Sequence, residues 1–79
     1  MIKVNIININ EFLRTVNSCT GAVYMLTPGR GKEDINKEYG IQDCLRRQHR
    51  DNRQYLPLIL DIPNYRDYLD IINFYAGDV

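Results

Sequence analysis

The stretch AVYMLTPGRGKEDI, residues 22–35, reads as strand, tight turn and strand. Val23 and Met25 alternate with Tyr24 and Leu26, the period of two of an extended chain with both faces partly covered. Pro28 presets the first central dihedral of a turn and Gly29 tolerates the positive one that a type II turn requires, so Pro28-Gly29-Arg30-Gly31 reverses the chain. The returning strand, residues 32–35, is short and polar, which suits a sheet edge where charge discourages pairing with another molecule.

Upstream of this hairpin, Ile2, Val4 and Ile6 alternate with Lys3 and Asn5, a first strand with one face on the core. Asn8 or Asn10 is placed to cap a helix, Glu11 falls near its positive end, and Ile9, Phe12, Leu13 and Val16 share one face. Gly21 is expected to stop that helix in the left-handed conformation. Downstream, Asn36 is expected to cap a second helix over residues 37–48 that turns Ile41, Cys44, Leu45 and Tyr39 inward, with Gly40 a weak point. Residues 46–54 are polar throughout and read as a solvated helix end and loop. Residues 55–62, the most apolar run, read as a fourth strand, with Pro57 near its start or at a bulge because it has no N–H for the ladder. Pro63 ends it, and Asn64 caps a last helix whose expected core face is Tyr65, Leu69, Ile72 and Tyr75 or Phe74, closed by Gly77.

The order is thus β-α-β-β-α-β-α in one domain, residues 1–79, of the α+β class. A chain this short hides only roughly 60% of its unfolded surface, so two layers around one thin core are expected. Ten basic and ten acidic side chains cancel, which leaves no global field to draw the molecule onto nucleic acid or an anionic membrane. No apolar run approaches the roughly 20 residues that cross a bilayer, and Met1 leads directly into a strand pattern without a signal peptide. The expected location is the cytoplasm, with no membrane association. Cys19 and Cys44 are too few and too far apart for a disulfide framework or a metal site, and read as two reduced, packed thiols.

The residues exclude several chemistries. The single histidine, His49, lies in the polar segment without an evident orienting partner and reads as exposed and silent. The glycines and cations of residues 28–32 do not form a phosphate loop, because Lys32 is followed by Glu33 and Asp34 rather than by a hydroxyl residue opening a helix. Glu33 with Asp34, and Asp67 with Asp70, lack an apolar setting and read as surface charge. No catalytic, cofactor or metal residue is therefore assigned. Two surfaces stand as binding candidates: Tyr65, Tyr68 and Tyr75 of the last helix, more than one face can bury, as a partner surface; and Arg46, Arg47, Arg50 and Arg53 as contacts for phosphate or nucleic acid. Asp43 and Asp51 dilute the second, so a solvated helix end outweighs it.

Gly29-Arg30, Asp34 and Gly40-Ile41 resemble the segment of histidine-containing phosphocarrier (HPr) proteins of the sugar phosphotransferase system that crosses the second hairpin into the second helix. The element order resembles that family over nearly the whole chain. The resemblance implies an open-faced sandwich, three helices on one side of a four-stranded antiparallel sheet. It also implies a phosphorylated histidine, followed closely by an arginine, at the start of the first helix, and a regulatory serine opening the second. Residues 5–10 contain neither histidine nor arginine, and Lys37 stands near the serine's place. The expectation is a small cytoplasmic module, non-enzymatic and without carrier activity, acting on an unidentified protein partner. Nucleic-acid binding through residues 46–53 is the alternative. A ferredoxin-like βαββαβ arrangement with an added helix is the competing fold.

Overall fold

The computed structural model describes residues 1–29 and 31–77. Its elements are β1 (Ile2–Ile6), α1 (Ile9–Ser18), β2 (Tyr24–Thr27), β3 (Gly31–Asp34), α2 (Tyr39–Asp51), β4 (Leu56–Asp61) and α3 (Tyr65–Gly77), in the order read from the sequence. The strands form one antiparallel sheet ordered β1-β4-β2-β3. β1 and β4 pair from Ile2 opposite Leu60 to Ile6 opposite Leu56. Their alternation buries Val4, Ile6, Leu56, Leu58 and Leu60 on one face and leaves Lys3, Asn5, Pro57 and Ile59 exposed on the other. Every helix adds to the core on the buried side: Ile9, Phe12, Leu13 and Val16 from α1, Leu45 from α2 and Ile71 from α3. The architecture is α+β, a four-stranded antiparallel sheet with its three helices against a single face.

Local signals explain the first half of the chain. Asn8, rather than Asn10, caps α1, its Oδ1 accepting the Glu11 N–H at 3.2 Å. The left-handed stop expected at Gly21 does not occur; α1 ends at Ser18 and Cys19 is extended. The reason is a long-range contact. The N–H groups of Thr20 and Gly21 donate to the Asp67 carboxylate on α3 at 3.1 and 2.8 Å, which draws the chain straight out of the helix. A Cβ at position 21 would lie 3.4 Å from Asp67 Oδ2, so the glycine serves close approach instead. In the hairpin Gly29 has φ +80°, as the turn requires, and Arg30 lies outside the described residues. Ile35 leaves the β3 ladder and is fully buried, its N–H donating to the Val23 carbonyl at 2.9 Å.

Two helix faces differ from expectation. Asn36 does not cap α2; its side-chain amide donates to the Cys19 and Gly21 carbonyls at 3.0 and 2.7 Å. Lys37 then takes a left-handed φ of 60°, and the helix begins only at Tyr39. Its inner stripe is Gln42, Leu45 and His49, while Tyr39 and Cys44 face solvent. Gln42 is drawn inward because its amide Nε2 donates to the Ile35 carbonyl at 2.8 Å and to Asn17 Oδ1 on α1 at 2.7 Å. The helix continues to Asp51, through much of the segment read as loop.

On α3, Asn64 caps as expected, accepting the Asp67 N–H at 3.0 Å. Tyr65 and Leu69, expected in the core, are 73% and 39% exposed, whereas Asp67, read as surface charge, is 2% exposed. The carboxylate's bonds to Thr20 and Gly21 fix the rotation of α3, so Tyr68, Ile71, Phe74 and Tyr75 face the core. Asp67→Ala is expected to lower stability by about 1–3 kcal/mol, the cost of leaving two part-buried amides without their acceptor. Exposed Asp70→Ala is expected to stay within about 0.5 kcal/mol, and urea denaturation followed by circular dichroism separates the two.

Candidate functional site

The start of α1 meets the end of α2 around a depression of about 560 Å³ lined by Asn8, Asn10, Arg46, His49, Arg50 and Gln54, among others. α1 contributes its first turn, whose N–H groups carry the positive end of the helix dipole. Arg46 and Arg50, four residues apart, lie on one side of α2 and reach the same depression. Arg46 donates from Nε to Asn10 Oδ1 at 3.3 Å and bridges to Asp43 at 3.0 Å. Arg50 meets Asp51 at 3.6 Å with both side chains more than 70% exposed, a pairing worth little in water. The depression is thus faced by two guanidinium groups and a helix N-terminus, a setting that attracts carboxylates.

His49 holds this junction together. It is 6% exposed, not the solvent-facing residue read from the sequence, and its Nε2 lies 2.6 Å from the Ile7 carbonyl just ahead of the Asn8 cap. A carbonyl only accepts, so the ring nitrogen is the donor. An imidazole therefore stands beside the tip of α1, supplied by α2 rather than by α1 itself. Its spacing from Gln42 and Leu45, seven and four residues, is the helical signal that could have placed it on the inner face.

The other candidates are dispersed. Arg47 donates to Cys44 Sγ at 3.2 Å, and Arg53 lies beyond the helix with a left-handed φ of 59°. Of the tyrosines, Tyr65 is exposed, whereas Tyr68 and Tyr75 pack against the core. The Tyr75 hydroxyl accepts the Asn5 N–H of β1 at 3.3 Å. Among the described residues no cluster of three or more His, Cys, Asp or Glu side chains is placed to hold a metal ion. Among the described residues no helix is long and apolar enough to cross a membrane.

The thiols differ sharply. Cys19 is 2% exposed and donates to the Thr15 carbonyl at 3.4 Å; burial first, then the charges of Asp67 and Asp70, pushes it up to about 11. Cys44, expected on the core face, is exposed. Iodoacetamide is therefore expected to modify native protein at Cys44 alone, and Cys19 only after denaturation, as read by mass spectrometry. The folded Cys19 thiol keeps its proton to higher pH than its ordinary value of 9.0. Its contribution to stability is full below that value and lost as pH rises toward 11, so stability is expected to fall across that window, and less steeply in Cys19→Ala. Comparison of the chain with protein-family models, curated proteins and solved structures returns no match.

Proposed function

We propose that this protein is a non-catalytic interaction module on a phosphocarrier-like scaffold, acting in the cytoplasm and docking an acidic patch of a partner protein at the α1–α2 junction. The observation that carries the reading is the convergence of Arg46 and Arg50 with the start of α1 on one depression. On the phosphocarrier reading this is the end of the domain at which that family bears its phosphoryl group, with Asn8 and Asn10 here in place of the imidazole. The element order and the single helix-covered face support that reading. His49 Nε2 is occupied by the Ile7 carbonyl, and the Cys19 thiol is held protonated, so both groups serve the fold.

A protein partner fits the arrangement better than nucleic acid. A duplex or single strand is bound through a row of phosphates, each neutralised by a cation. Here Arg47 turns to Cys44 and Arg53 lies past the helix end, leaving two guanidinium groups in one concave place rather than a track.

The test is charge reversal. With the chain immobilised and exposed to cell extract, Arg46→Glu with Arg50→Glu is expected to weaken capture of the partner at least roughly tenfold, as removal of two arginines from an interface centre does. Tyr65→Ala is expected to leave it unchanged. Capture that survives the reversal, with circular dichroism showing both variants folded, overturns the proposal. Tight oligonucleotide binding at low salt, falling linearly in log–log form with added salt, moves the assignment to nucleic acid.

A further inference from the structure

The sheet contains a cleft where two of its strands part, open on the face away from the helices and reaching between the strands to Gln48 of α2. β2 and β4 pair at Tyr24–Asp61 and Met25–Leu60, and among the described residues the ladder ends there. Two prolines account for it. The Asn5 N–H points away from β4 to the Tyr75 hydroxyl, so Asn5 and Pro57 are a non-hydrogen-bonded pair and the backbone of Pro57 turns toward β2. Continuing the β2–β4 register sets Pro57 opposite Pro28, and neither has an N–H to give. The parted strands leave a cavity of about 560 Å³ whose walls include Leu26, Pro28, Pro57 and Ile59, with Lys3 at one side and Gln48 of α2 at another. It shares Leu26, Pro28 and Ile59 with an adjoining apolar depression of about 450 Å³. These volumes suit a small molecule, which such sites hold by apolar walls and one or two placed polar groups.

The charges on this face set the ligand's chemistry. Lys3 is paired with Ile59 across β1–β4, and Leu26 with Lys32 across β2–β3, so continued register aligns Lys3, Ile59, Leu26 and Lys32 in one row. Lys32 is already bound to Asp61 at 2.5 Å and lies 5.6 Å from the Tyr24 ring centre. Lys3 is exposed and has no carboxylate partner among the described residues. A largely apolar trough therefore ends at one ammonium group that has no carboxylate partner among the described residues. We propose that this cleft binds a linear aliphatic carboxylate, its chain along Ile59, Leu26 and the two prolines and its head group against Lys3. The site is separate from the α1–α2 junction and does not depend on the function assigned there.

Titration of the full chain with hexanoate, octanoate and decanoate, each below its micelle concentration, tests the proposal by calorimetry and by amide shifts. Affinity is expected to rise roughly fourfold for each methylene buried, with shifts confined to the residues that line the cleft, on β2, β4, Pro28, residues 3–5 of β1 and Gln48. Lys3→Gln is expected to weaken octanoate about threefold, the worth of an exposed charge pair, and to leave 1-octanol unaffected. Ile59→Thr, at a position 38% exposed and outside the core, is expected to weaken the whole series in a folded protein. Affinity independent of chain length, shifts elsewhere, or binding that sets in only with micelles overturns it, as does equal binding by the Lys3→Gln protein.

Discussion

The fold depends on buried polar side chains that tie each outer helix to a chain connection. Asp67 of α3 holds the amides that follow α1; Gln42 of α2 holds the Ile35 carbonyl and Asn17; His49 of α2 holds the Ile7 carbonyl. A sheet covered on one face has one thin core, and the hydrophobic contacts in it are not directional. Apolar packing alone would allow α2 and α3 to roll about their axes. A buried hydrogen bond does not, because an unpaired partner costs about 1–3 kcal/mol against a total stability of about 5–15 kcal/mol. Asn36 and Asp34 add to the same belt: Asn36 donates to the Cys19 and Gly21 carbonyls, and Asp34 accepts from the amides of Val23 and Asn36. The connections between α1 and β2 and between β3 and α2 are thereby locked to one another.

This belt also explains which parts of the structure were legible in the sequence. β1, α1 and β4 follow from periodicity, because their buried positions are apolar and their polar positions exposed. The hairpin follows from Pro28 and Gly29. α2 and α3 are legible as helices but only part of each inner face is: Leu45, Ile41, Phe74 and Tyr75 pack inward as expected, whereas Tyr39, Cys44, Tyr65 and Leu69, with the hydropathy of core residues, give way to Gln42, His49 and Asp67. Their partners lie 7 to 47 residues away in sequence, so no local pattern marks the bonds, although the helical spacing of Gln42 and His49 from Leu45 does mark their side of α2. Asn36 is the plainest case, a residue with every property of a helix cap whose amide is spent on two distant carbonyls.

The candidate site was half visible for the same reason. The arginines of residues 46–53 are a compositional fact, but their apposition to the start of α1 arises from the rotation of α2, which His49 and Gln42 set. With a different face inward, Arg46 and Arg50 would point elsewhere. The tyrosines, equally visible, divide between uses: Tyr75 closes over the β1 edge by accepting the Asn5 N–H, and Tyr65 stays in solvent.

The uncovered face of the sheet poses a physical problem that the two edges and the centre solve differently. On β1 the outward Asn5 N–H is taken by Tyr75, and β3 presents Lys32 and Glu33. Both devices discourage a second chain from adding a strand. The weak place is internal, where β4 and β2 part at the prolines. A cleft inside a sheet cannot be closed by strand addition, because its width is limited by the ladder that resumes at Met25 and Leu60. What enters must be narrow and have no backbone of its own to satisfy, and the apolar side chains around the gap reward hydrocarbon rather than peptide. The proline pair that parts the two strands therefore also sets the shape of the guest proposed for the cleft.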